Sequence, residues 1–257
     1  MLRRSASIGF CGCVDRRAEI LLIQLRTMTT KYFLSLTTIF IATCHSPAAP
    51  TAIAPEAREA IEWCDIWISH ANETNLPRVL LIGDSITRDY YPGVEKHLAG
   101  KAYVGRLSSS AFISDPALIK QIEMVLNEYK FDVIHFNNGM HGWQHSEKAY
   151  EREFSSLLKT IQKAAPNAKL IWASTTPLKV SPTLPPGNQT QATDERITAR
   201  NAIALKLVQS KGIPVDDLYT PMRGHPEYHS DNVHFNGQGI QLQATQVAAY
   251  IEKLLKP

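Results

Sequence analysis

Cysteine is scarce in this chain: of four, Cys11, Cys13 and Cys44 fall in the first 50 residues and only Cys64 lies beyond them. A disulfide framework within residues 51–257 is therefore excluded. The surrounding stretch EAREAIEWCDIWIS has apolar positions Ile61, Cys64 and Ile68 at helical spacing, which predicts a first helix with Cys64 as a small buried hydrophobe. HExxH and a cysteine ligand set are both missing, and with them the strongest signatures of a zinc site. Internal repeats and long blocks of like charge are also missing. The net charge of +3 arises in residues 1–50, where Arg3, Arg4, Arg16, Arg17, Arg26 and Lys31 face only Asp15 and Glu19. The remainder stands at −1, so nothing in it calls for nucleic acid or an acidic polymer as partner.

What the first 50 residues do contain is directional. From Met28 the string MTTKYFLSLTTIFIATCHS gives one lysine, an apolar and hydroxyl-rich run from Tyr32 to Thr43, then small residues. That order predicts an export signal with Met28 as the true start, and the apolar run is short for a bilayer span. The expected location is periplasmic or extracellular, and Cys44 after Ile-Ala-Thr marks a candidate lipid anchor, the one expected link to a membrane. Residues 51–257 then form one expected domain, entered through a Pro/Ala-rich linker from Ser46 to Pro55.

Within that domain, β-rich runs at Arg78–Ile82, Ala102–Val104, Asp132–Phe136, Lys169–Ala173 and Ile213–Val215 alternate with helical patterns. The helices are expected at Thr87–Leu98, Pro116–Tyr129, Ser146–Ala164, Asp194–Lys211 and Gly237–Leu255. Strands alternating with helices predict a three-layer α/β/α domain on a parallel five-stranded sheet, with SPTLPPGNQTQ, Ser181 to Gln191, as an exposed loop. In such sheets ligands bind where strands end at their carboxyl side.

Four strand ends carry chemistry. After the first strand, Gly83-Asp84-Ser85 precedes a helix start, so Ser85 is either an N-cap or a nucleophile beside partly positive N–H groups. After the second, Gly105 offers a backbone N–H, or simply a turn. The third is followed by Asn137-Asn138-Gly139-Met140-His141-Gly142-Trp143, in which an asparagine amide can face a developing oxyanion or build an Asn-Gly turn. Near the C-terminus, Asp231 stands three residues before His234, a spacing that lets the carboxylate accept the Nδ1 proton and frees Nε2 as a base. By ordinary residue frequencies, a chance Gly-Asp-Ser together with a late Asp-x-x-His, in this order and each at a strand end, occurs about once in a thousand such chains. That coincidence favours the nucleophile.

These blocks resemble the SGNH, or GDSL-type, serine hydrolases: GDSIT carries Ser85, DNVH carries Asp231 and His234, and FNNGMHGW is similar to the branch with an Asn-x-Gly-x-His or Asn-x-Gly-x-Trp third block, which includes carbohydrate esterases. The resemblance implies a flavodoxin-like fold, no metal or organic cofactor, and a Ser85–His234–Asp231 triad. It further implies an oxyanion hole from Ser85, Gly105 and Asn137, with Asn138 as the alternative donor. The implied activity is hydrolysis of a short-chain ester, acetyl on a carbohydrate, through an acyl-enzyme. The pattern G-x-S-x-G is absent, which disfavours the α/β-hydrolase fold.

Other readings remain at this stage. His225, His229, Asp231 and His234 are a candidate metal set. The family includes lipase-like, thioesterase-like and acyltransferase activities, and a carbohydrate-binding module would keep the fold without catalysis. Arg88, His141 and Trp143 are candidate substrate contacts, and Tyr90 and Tyr91 candidate stacking residues beside Trp143, each with an ordinary structural role as the alternative. Thr175 and Thr176 are candidate pocket wall.

Overall fold

The computed structural model describes residues 61–183 and 191–255, all within the compact unit Pro50–Pro257. The expectations on the export signal, on Met28 and on Cys11, Cys13 and Cys44 lie outside the described residues, as do residues 184–190 of the proline-rich stretch.

Six strands form one sheet: β1 (Cys64–Ile68), β2 (Arg78–Gly83), β3 (Tyr103–Ser109), β4 (Val133–Phe136), β5 (Lys169–Ala173) and β6 (Val215–Asp216), in the spatial order β1-β3-β2-β4-β5-β6. The five from β2 to β6 are parallel and each overlaps one of the five predicted, β6 only at Val215. Helices α1 (Ser85–His97), α2 (Pro116–Glu128), α3 (Glu147–Ala164), α4 (Asp194–Gln209) and α6 (Gly237–Leu255) fall where helical periodicity placed them, and the short α5 (Tyr219–Arg223) is additional.

Alternation along the strands builds two cores. Val79 and Leu81 of β2 face one side, packing with Tyr90 and Val94 of α1, Leu98 just after it, and Val247 and Ile251 of α6. Leu80 and Ile82 face the other, with Ile122 of α2, Phe154 and Leu157 of α3 and Ala204 and Val208 of α4. This period of two with burial on both faces is what a central parallel strand requires.

Two expectations are corrected here. The predicted first helix is the antiparallel edge strand β1, paired with β3 from Cys64 opposite Ser109 to Ile68 opposite Gly105. Apolar residues at 61, 64 and 68 fit a helix, but Ile66 and Ile68 alternate with Trp67, and pairing to the open edge of β3 satisfies a ladder that a helix would leave bare. Cys64 is accordingly exposed, not buried.

The second concerns Gly105. The predicted strand ends beside it, whereas β3 continues to Ser109, so Gly105 lies mid-strand, level with Leu80 of β2. The residue level with Gly83 at the carboxyl edge is Ser108. A backbone N–H at Gly105 thus sits about 10 Å along the strand from that edge, given about 3.3 Å per residue. It has no place in an oxyanion hole.

Candidate active site

The turn from β2 into α1 is made by Gly83-Asp84-Ser85. A Cβ on Gly83 would overlap the Thr87 side chain, so only glycine lets the first turn of α1 fold back on the strand end. The cap is Asp84, whose carboxylate accepts from the Ile86 N–H at 3.0 Å; Ser85 is the first helical residue instead of the N-cap. Its own N–H lies in the first turn, where no intrahelical acceptor exists. Capping and reactivity are divided between two neighbouring residues.

The other half of the site is a loop between the 3₁₀ turn Pro226–Tyr228 and α6. His229 and Phe235 pair across it as an antiparallel bridge, and Ser230 N–H donates to the His234 carbonyl at 2.9 Å. Asn232 ties it to the segment after β5, its Oδ1 accepting from Val180 N–H at 2.9 Å and its carbonyl from Lys179 N–H at 3.0 Å. Asn236 then caps α6 through the N–H groups of Gln238 and Gly239. His234 is held at a fixed height above the sheet.

Across this gap Ser85 Oγ lies 2.8 Å from His234 Nε2, and His234 Nδ1 lies 2.8 Å from Asp231 Oδ2. A carboxylate can only accept, so the proton of the second bond is on Nδ1 and the Nε2 lone pair faces the serine hydroxyl. Asp231 Oδ1 accepts from the N–H groups of Val233 and His234, both at 2.7 Å. Partial desolvation pushes the Asp231 carboxyl up, but those two N–H groups and the imidazole outweigh it and hold it down at about 2. Together the three side chains can pass a proton from serine to imidazole while a permanent carboxylate faces the cation that results.

Of the two asparagines after β4, Asn137 lines a small cavity with Asp84, Ile86 and Thr87 at the start of α1. Its amide donates to the Ala173 carbonyl at 2.7 Å and to Thr175 Oγ1 at 3.1 Å. Asn138 is buried and donates to the Ala111 carbonyl at 3.1 Å. Thr175 and Thr176 are buried beneath the same cavity.

The expected aromatic wall is not at the surface. Tyr90 and Tyr91 of α1 and Trp143 are all buried in the core, which rules out sugar stacking on them. Trp143 instead lies under Arg196 and Arg200 of α4. The His141 carbonyl accepts from Arg200 at 2.8 Å, and its side chain is half-buried. Arg88 is exposed, one turn after Ser85, and lies over the Trp63 ring at 4.6 Å. The histidine-rich string does not converge either: His225 pairs with Glu227 and stacks on Tyr228, His229 packs on Phe235, and only Asp231 and His234 meet. Among the described residues, no three His, Cys, Asp or Glu side chains come together in a way that would hold a metal ion.

Sequence reasoning missed Asp89, Trp63 and Arg200. Asp89 stands four residues after Ser85 on the same helix face; burial pushes its carboxyl up, opposed by His234 and Arg88 and reinforced by Asp84 and Asp231. The i, i+4 spacing from the serine was the available signal.

A mainly parallel sheet between two helical layers, with serine, histidine and aspartate aligned at its carboxyl edge and the last two sharing one loop, defines an α/β acylhydrolase. Residues 81–242 match the model of the GDSL-like lipase/acylhydrolase family. The chain belongs to that family and is a carboxylic ester hydrolase. Solved structures agree in fold. A GDSL-like lipase from Bacteroides thetaiotaomicron superposes with a TM-score of 0.55 at 18% identity, covering 68% of this chain and 88% of its own. A carbohydrate esterase family 3 protein from Talaromyces cellulolyticus gives 0.55 at 19%, covering 70% and 99%. A carbohydrate acetylesterase from Sinorhizobium meliloti gives 0.55 at 13%, covering 69% and 99%. No curated protein matches.

Proposed function

We propose that this protein is an exported serine esterase that removes a short acyl group, acetyl, from a carbohydrate. The observation that carries the reading is the continuous series Ser85 Oγ, His234 Nε2, His234 Nδ1, Asp231 Oδ2, with 2.8 Å at each hydrogen bond. His234 takes the Ser85 proton as Oγ bonds to the ester carbon. It returns that proton to the departing sugar hydroxyl, leaving an acyl-serine. Water then gives a proton to His234, attacks the acyl carbon and releases the acid, restoring the serine.

The oxyanion sits against the Ser85 N–H at the positive end of α1. Asn137 supplies the side-chain donor by exchanging the longer of its two bonds, that to Thr175 Oγ1, for the substrate oxygen. Support for a carbohydrate comes from the FNNGMHGW wording and from fold neighbours that include carbohydrate esterases. Support for export comes from the Met28–Ser46 pattern.

Ser85→Ala should abolish turnover of an aryl acetate with an unchanged circular dichroism spectrum, and retained turnover would refute the serine mechanism. Acetate release from a panel of acetylated polysaccharides, beside aryl esters of increasing acyl length, tests the substrate. A strong preference for long acyl chains would overturn the carbohydrate assignment.

A further inference from the structure

Edge strand β1 precedes the segment matched by the family model; it carries Trp67, and Trp63 stands immediately before its first residue. Because β1 runs antiparallel to β3, its beginning lies at the carboxyl edge of the sheet, beside the site. Trp63 is fixed there by its main chain: its N–H donates to Ser110 Oγ at 2.9 Å and its carbonyl accepts from Ser110 N–H at 3.1 Å, two residues past the level of Gly83. Arg88, on the Ser85 face of α1, lays its guanidinium 4.6 Å from the Trp63 ring centroid. That contact steadies the indole, and the side chain stays half-exposed.

Side chains alternate along a strand, so Trp63, Asp65 and Trp67 share a face. Trp67 is 55% exposed, one of the few large apolar side chains so placed among the described residues. Four residues of strand separate the indoles by about 13 Å. Between them Asp65 Oδ2 accepts from Arg106 Nη2 at 2.8 Å, which cancels the charge while leaving polar atoms at the surface. The strip therefore offers flat apolar rings at intervals, with hydrogen-bonding groups between them whose charges are paired with each other.

We propose that Trp63 and Trp67 form a stacking track for a neutral polysaccharide, which runs from Ser85 down edge strand β1. The inference rests on the carbohydrate-ester reading and extends it from the bond cleaved to the chain that carries it. Sugar rings present C–H faces to the indoles and hydroxyls to the Asp65–Arg106 pair. Along β1 an anionic chain would find Arg106 already paired with Asp65, and a lipid surface would have to bury that ion pair.

The test uses Ser85→Ala protein and unacetylated xylo-, manno- and gluco-oligosaccharides of two to six units, read by tryptophan fluorescence and calorimetry. At least one series should bind more tightly as it lengthens. Trp67→Ala should weaken the longest member about tenfold, the loss expected on truncating a contacting aromatic, and Trp67→Phe should restore part of it. In the active enzyme, Trp63→Ala should lose several times more kcat/KM on acetylated hexamers than on an aryl acetate. Absence of binding to all three series, or equal losses on hexamer and aryl acetate, would overturn the track and leave the esterase reading standing. A wild-type dimer that Trp67→Ala converts to monomer would also overturn it, marking the strip as a protein interface. Binding without acetate release from any acetylated polysaccharide would instead sink the carbohydrate-ester reading.

Discussion

Arg200 lies over Trp143, its guanidinium carbon 3.8 Å from the ring centroid, with both side chains buried. From α4 the guanidinium donates to the carbonyls of Gly139, His141, Gly142 and His145, so it gathers the loop that follows β4 around one charge. Burial pulls it down to about 10, which still leaves it charged at neutral pH. Arg196 reinforces the arrangement through the carbonyls of Trp143 and His145 and an ion pair with Glu147 at 2.7 Å.

Arg200→Met should therefore destabilise the protein by about 3 kcal/mol or more, since it strands several buried carbonyls whose partner was charged. Arg200→Lys should recover only part, because an ammonium cannot stack and fork as a guanidinium does. Urea unfolding of the three proteins measures this. A loss below about 1 kcal/mol for Arg200→Met would show that the loop is held by other contacts.

His135 and Asp216 form a second pair, wholly buried at 3.0 Å between β4 and β6, with Gln246 Nε2 donating to the other Asp216 oxygen at 2.7 Å. Removing the imidazole leaves Asp216 Oδ2 buried without its donor, so His135→Leu should cost about 1–3 kcal/mol. Replacing both by apolar residues should cost clearly less than the two single losses combined. Additive losses in a double-mutant cycle would show that the two do not act as a pair.

Asp231 gives a pH expectation. Its carboxyl is held at about 2, below the ordinary value of roughly 3.9, so it stays ionised as pH falls through the range where an unperturbed aspartate takes up its proton. Any stability from this shift is present above the unfolded value and lost only as pH falls toward 2. Asp231 should accordingly add no carboxylate step to the acid limb of log kcat/KM above about pH 4, and any such step should disappear in Asp89→Asn, which removes the carboxyl that burial pushes up. A carboxylate step that persists in Asp89→Asn would show that Asp231 titrates there instead.

Much of this was legible because its signals were local. The parallel strands have both faces buried and read as continuous apolar runs, GDSIT sits at the end of β2, and DNVH sits in the short loop that leads into α6. What was not legible depends on pairing partners distant in sequence. Residues 61–68 satisfy a helical period, and only the open edge of β3 makes them a strand. Gly105 looked like a turn because nothing local says that β3 gains a second neighbour and continues to Ser109. Arg200 did leave a trace: with Ile197, Ala204 and Val208 it falls on the apolar stripe of α4, where a charge must have a buried partner.

The choice between Asn137 and Asn138 turns on direction. Successive residues at a strand end point to opposite faces; Asn137 lines the cavity under α1, while Asn138 reaches back to the Ala111 carbonyl and its own carbonyl accepts from Tyr150 Oη at 2.9 Å. Asn137→Ala should lower kcat on an aryl acetate about 100- to 1,000-fold, as expected for loss of one oxyanion donor. The effect should fall mainly on kcat, because the donor matters most when the oxygen carries charge. Asn138→Ala should chiefly lower stability, by about 1–3 kcal/mol, since it unpairs a buried carbonyl. Equal kcat losses in the two variants, or a larger one for Asn138→Ala, would move the donor role away from Asn137.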